Sequence, residues 1–262
     1  MLIKEVVNYL ENRYPRSNAA DFDQERIGLV IGDEDITITN ILLTLDLTLE
    51  VVKEAIAKKA NFIISHHPFI FQPLFKVLFK SAKGQILELM FKHRLSLYSM
   101  HTNLDVGING VNDVLANLLE IKNVQIINNE PILGNYLRYG EIDAIPLIDL
   151  AKKVKTQFGL TGVKIIGDPN RLIKKIGIVG GSGAHDEDID NALKMGLDCY
   201  ITGEVKLPAA QTAHFNNLAV IEVNHGVEKL VFYPLAKQLE KSLLLYDHIF
   251  VSEINTDPLY FL

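Results

Sequence analysis

Cysteine is nearly absent: Cys199 stands alone in 262 residues. No internal disulfide can form, which fits a reducing cytoplasm, and a cysteine-ligated zinc finger is excluded, so any metal site must draw on nitrogen and oxygen ligands. Long apolar runs are missing as well. No uncharged stretch reaches the roughly eighteen residues of a membrane-spanning helix, and Met1-Leu2-Ile3-Lys4-Glu5 begins an amphipathic pattern rather than a basic, cleavable leader. A soluble, uncleaved cytoplasmic protein with no membrane partner is expected. Positive charge is in deficit too, and a net charge of −6 repels nucleic acid and anionic lipid unless basic residues gather locally. The one noticeable gathering, Lys152, Lys153, Lys155, Lys164, Arg171, Lys174 and Lys175, reads as solvated faces of a helix and a strand. Nucleic acid is therefore not an expected partner. No Gly-x-x-x-x-Gly-Lys-Ser/Thr phosphate loop occurs, and Gly180-Gly181-Ser182-Gly183 reads either as an anion turn or as glycines demanded by backbone geometry.

What is present is alternation. Asn40 to Asp46 is a short apolar run ending in a carboxylate, Leu49 to Ala60 has helical spacing, and Phe62-Ile63-Ile64 is apolar again. Gly84 to His93 reads as a helix, Leu95 to Met100 as a third strand, and Gly110 to Glu120 as another helix. The second half repeats the plan: strand Lys175 to Gly180, helix Asp186 to Gly196, strand Cys199 to Ile201, helix Pro208 to Asn216, strand Leu218 to Val223, closing helix Glu228 to Leu244. Such alternation implies βαβ units, so the expected fold is α/β, two similar halves with mostly parallel sheets. The expected division is 1–123, a connecting segment 124–170 punctuated by Pro131, Gly134 and Pro146, and 171–262.

Four clusters of polar residues follow expected strands, where open α/β sheets place their ligand crevices. Ser65-His66-His67-Pro68 is the first; adjacent imidazoles on an extended segment point to opposite sides, so ligation by both suits a bent backbone or two neighbouring metals. His101-Thr102-Asn103-Leu104-Asp105 places an imidazole and a carboxylate in one loop. In Asn224-His225-Gly226-Val227-Glu228 the spacing puts His225 and Glu228 on one side of a helical turn, though Glu228 also reads as an acid favoured at a helix start. The fourth, Thr202-Gly203-Glu204, aligns with Ser65-His66-His67 if the halves are a duplication. Imidazoles at 66, 67, 101 and 225, with Asp105, Glu228 and Glu204, describe one or two divalent transition metals such as Zn, Fe, Mn, Co or Ni. Two ions suit this many ligands better than one tetrahedral centre, and would lie in the crevice between the halves.

These residues, with Gly28 to Gly32, Asp46 and Gly180 to Gly183, make the chain resemble the NIF3-like family, whose members are also called GTP cyclohydrolase I type 2 homologues. The resemblance runs in order along nearly the whole chain. It implies an α/β fold, a dinuclear metal centre in each subunit and a ring-shaped homohexamer. By the same resemblance His66, His67, Asp105, His225 and Glu228 are the expected ligands, with His101 either a ligand or a group that orients Asp105. Some relatives carry a ferredoxin-like domain between the halves, for which 124–170 is too short. Many have a histidine after the Thr-Gly-Glu segment, where this chain has Leu207-Pro208.

The activity implied is that of a metal-dependent hydrolase, a metal-bound hydroxide attacking a nucleotide-like substrate while Glu228, Glu204 or Asp46 moves protons. The alternative is a non-enzymatic ring that binds metal and regulates or engages other proteins or nucleic acid. Self-association has its own residue-level support in the apolar run Phe69, Ile70, Phe71, Leu74, Phe75, Val77, Leu78 and Phe79, more than one short element buries alone.

Overall fold

The computed structural model describes residues 1–127 and 136–259; Pro131 and Gly134, expected as punctuation, lie outside them. The chain forms two compact units, Met1–Gly107 with Val231–Thr256, and Ile108–Leu230 with residues 257–259. Among the described residues no helix is long and apolar enough to cross a membrane.

The first unit runs α1 (Ile3–Arg13), β1 (Gly28–Ile31), β2 (Ile41–Thr44), α2 (Leu49–Ala57), β3 (Phe62–Ser65), α3 (Ala82–Lys92), β4 (Ser96–Ser99) and α4 (Thr102–Val106). The second contains α5 (Val111–Leu118), β5 (Lys122–Ile126), β6 (Arg138–Pro146), α6 (Leu147–Gln157), β7 (Lys164–Ile166), β8 (Leu172–Val179), α7 (Asp186–Lys194), β9 (Cys199–Thr202), α8 (Leu207–Phe215) and β10 (Ala219–Glu222). After a 3-10 turn at His225–Val231, α9 (Phe232–Leu243) and β11 (Ile249–Val251) return to the first unit.

In the first unit the sheet order is β1-β4-β3-β2-β11. The last four strands are mutually parallel and only β1 is antiparallel. Every position of β2, β3 and β4 is buried, as expected for strands whose faces are covered by helices. Val51, Val52 and Ala55 of α2 and Ile86, Leu87 and Met90 of α3 pack on Leu42, Ile63 and Leu97 in one core. Both helices begin at a side-chain cap: Thr48 Oγ1 accepts from Val51 N at 3.2 Å and Ser81 Oγ from Gly84 N at 3.1 Å. The phenylalanine-rich run between β3 and α3 divides, with Phe69 buried while Phe75 and Phe79 are 93% and 82% exposed.

The second sheet has order β5-β6-β8-β9-β10-β7. Its centre, β8-β9-β10, is parallel, and β5, β6 and β7 pair antiparallel. Segment 124–170, expected as a connector, thus supplies the end of β5 and all of β6 and β7 to this sheet, with α6 between β6 and β7. The two parallel centres are in corresponding register: Thr44, Ser65 and Ser99 lie side by side in one, Val179, Thr202 and Glu222 in the other. Counting on from these positions pairs His66-His67 with Gly203-Glu204. It also pairs Asp105 with Glu228, so the duplicated framework delivers a carboxylate at the same place in each unit.

Candidate metal centre

In the first unit the ends of the parallel strands hold the histidines. His66 N donates to Thr44 O at 3.0 Å, His67 N to Leu45 O at 2.9 Å and Met100 N to Ser65 O at 2.8 Å, so strand pairing continues through the residues that carry the chemistry. Ser65 Oγ sits 3.0 Å from Ser99 Oγ and donates to His67 O at 3.0 Å, which bends the chain after β3. This bend answers the adjacency of the two histidines: their ring centroids are 5.0 Å apart, and each lies within 5.3–5.7 Å of the His101 ring. One ligand atom from each of His66, His67 and His101 lies within 4.8 Å of the others. Asp105, on α4 one turn beyond His101, places Oδ1 3.5 Å from His66 Nε2. His66 and Asp105 are buried.

Carboxylates fix two of these rings. Asp46 Oδ1 lies 2.6 Å from His67 Nδ1, and Thr256 Oγ1 donates to Asp46 Oδ2 at 2.5 Å. Asp23 Oδ2 lies 2.9 Å from His101 Nδ1 and also accepts from Thr102 N at 3.1 Å and Thr102 Oγ1 at 2.7 Å. A carboxylate on Nδ1 sets the tautomer in which Nε2 carries the lone pair, the arrangement typical of metal-ligating histidine. Burial pushes both carboxyls up, but the hydrogen bonds and charge of their histidines, with the threonine hydroxyls, outweigh it and hold both below the usual carboxylate range.

In the second unit the same strand-end geometry gathers His225, Glu228 and Glu204. His225 Nδ1 lies 2.8 Å from Glu204 Oε1, while its Nε2 lies 3.2 Å from Glu228 Oε2. With the Nδ1 proton given to Glu204, an imidazole lone pair faces a carboxylate oxygen, a juxtaposition that a shared cation or proton reconciles. Gly181 has φ +63, and a Cβ there would stand 2.3 Å from Glu228 Oε1. The glycine turn at 180–183 therefore makes room for a carboxylate rather than cradling an anion. Gly180 N donates to Asn112 Oδ1 at 2.7 Å and Gly183 N toward Thr202 Oγ1 at 3.2 Å, so these two amides are already engaged.

The donor set fits a divalent transition metal: clustered imidazoles, a carboxylate among them and outer carboxylates orienting the rings. Over residues 1–258 the chain matches the model of the family described as Duf34/NIF3 (NGG1p interacting factor 3). The chain belongs to the DUF34/NIF3 family. Within it, a Clostridium acetobutylicum protein named GTP cyclohydrolase 1 type 2 homolog is 32% identical over 99% of this chain and 98% of its own length. A Staphylococcus aureus relative of the same name is 27% identical over an alignment of 375 residues, longer than this chain, so that relative carries inserted sequence. Among solved structures, a Staphylococcus aureus hypothetical protein superposes with TM-score 0.91 at 31% identity, over 100% of this chain and 99% of that one. A Bacillus cereus protein related to NIF3 does so with TM-score 0.92 at 25% identity, with the same coverage.

Of the residues singled out from sequence, His66, His67, His101, Asp105 and Asp46 come together in the first unit, and His225, Glu228 and Glu204 in the second. Sequence reasoning missed Asp23 and Thr256. Asp23 lies in a polar turn, Asp21 to Glu25, with no spacing relation to His101, so no local signal marks it.

Proposed function

We propose that this protein binds two divalent cations and uses them as a hydrolase acting on a nucleotide-like substrate. The ligands would be His66, His67, His101, Asp105, His225 and Glu228. The observation that carries the reading is the clustering of three imidazoles in one unit, two of them held at Nδ1 by carboxylates. Cations bound there would supply Lewis acidity, lowering the pKa of water and polarising a carbonyl or phosphoryl group.

The remaining work falls to the chain. Asp46, with both oxygens engaged, keeps the Nδ1 proton on His67, and Asp23 does the same for His101. Glu204, about half exposed, holds His225 at Nδ1. Glu228, buried beside His225 Nε2, is the carboxylate placed to take or return a proton at its Oε2. The exposed phenylalanines of the 69–79 run support self-association, for which we propose the hexamer. Titrating a chelator while following metal content, helical signal and hydrolysis tests the reading. Activity lost with helix retained supports a catalytic centre; metal lost with no hydrolysis at any stage, or collapse of the fold, would overturn it in favour of a binding or structural role.

A further inference from the structure

Beside the histidine cluster, the first unit carries a feature that metal ligation does not use. Phe22 and Phe71 are 57% and 43% exposed, yet their ring centroids stand 6.5 Å apart. The Arg26 guanidinium sits over both rings, 4.4 Å from the Phe71 centroid and 5.4 Å from that of Phe22. Phe71 meets the His101 ring edge-on at 6.4 Å, so this platform adjoins the donor set.

Its position is built rather than accidental. Asp23 N donates to Ala20 O and Arg26 N to Asp23 O, each at 2.8 Å, and Ala20 N donates to Thr102 Oγ1 at 3.0 Å. Arg26 Nη1 donates to Phe22 O. The turn that orients His101 through Asp23 therefore also presents Arg26 and Phe22. Among the described residues Arg26 has no carboxylate partner, and its guanidinium is met by two ring faces and the Phe22 carbonyl. A guanidinium in that state retains donors suited to bidentate recognition of phosphate, and an exposed phenyl face is a stacking surface for a planar ring.

We propose that Phe22, Arg26 and Phe71 bind a planar aromatic heterocycle carrying phosphate, a nucleoside phosphate, with the ring on the phenylalanines and phosphate on Arg26. This names the substrate class of the hydrolase proposed above and rests on that reading for its purpose, though not for its test. GTP, guanosine and inorganic triphosphate are the probes, titrated calorimetrically into full-length wild type, Phe71→Ala and Arg26→Met, with metal content measured on each sample. Phe71→Ala should weaken GTP and guanosine roughly five- to 150-fold, the range of base-on-aromatic stacking. Arg26→Met should weaken GTP and triphosphate but not guanosine, and metal content should not change. If both variants bind GTP as wild type does, or wild type loaded with metal binds none, the proposal falls. Variants that alter sedimentation but not GTP affinity assign the rings to a contact between copies and also overturn it. GTP binding sensitive to both substitutions in a protein that holds no metal would sustain this inference while sinking the hydrolase reading.

Discussion

Replacing Asp23 with Asn is the perturbation whose consequences the structure specifies most fully. The carboxylate is completely buried, and its Oδ2 receives His101 Nδ1, Thr102 N and Thr102 Oγ1. Asn keeps the shape and one acceptor but removes the charge, and charge-assisted hydrogen bonds are about twice as strong as neutral ones. For the metal-free protein a loss of about 1.5–3 kcal/mol follows, the scale of hydrogen bonds to a charged group. For metal, loss of the carboxylate behind a ligating histidine typically costs about 10–100-fold in affinity, or about 1.4–2.7 kcal/mol. The pH dependence has a definite sign. Because the folded Asp23 pKa lies below its ordinary value of 3.8, its contribution is present above that value and lost as pH falls through the folded one. Asp23→Asn should therefore be less stable than wild type at pH 7.5, and the two should converge under acid. Urea unfolding of the metal-free proteins across pH, with competition against a chromophoric chelator for Zn or Mn at pH 7.5, measures both effects. Metal affinity within twofold of wild type would refute the idea that Asp23 orients a ligand.

Three further outcomes are expected. Arg138→Met should destabilise the second unit by about 3 kcal/mol in urea unfolding, because fully buried Arg138 pairs through Nε with Asp113 and its loss leaves that partly buried acid without its cation, with only Asn109 N among the described residues donating to it; adding Asp113→Asn should recover part of the loss. Gly181→Ala places a β-carbon in left-handed backbone and 2.3 Å from Glu228 Oε1, so a cost of about 1–2 kcal/mol from the backbone alone should come with weakened metal binding, read by thermal unfolding and chelator competition. If the proposed self-association runs through Phe75 and Phe79, which are 93% and 82% exposed, replacing both by Ser should reduce the sedimenting mass; an unchanged mass, or a wild-type monomer, would overturn that proposal.

The parallel strands were legible because strands buried on both faces read as uninterrupted apolar runs, and the turns after them announced the histidines. What escaped has a physical reason in each case. Every residue of β5 is exposed, and β6 alternates buried with exposed positions under a charged sequence, so neither stands out from a loop. The return of α9 and β11 to the first unit depends on Ile249 to Val251 pairing with β2, a long-range choice that three apolar residues do not encode locally. Asp46 was visible at a strand end, whereas Asp23 reaches His101 only through tertiary packing.

The central claim is that the strand-end histidines hold metal. Elemental analysis of the purified protein, wild type beside His67→Ala, tests it most directly. The account predicts two equivalents of divalent transition metal per wild-type chain and a clear loss in the variant, with helical signal preserved; wild type that retains no metal after exposure to Zn, Mn, Fe, Co or Ni, or a variant that retains the full amount, would contradict it.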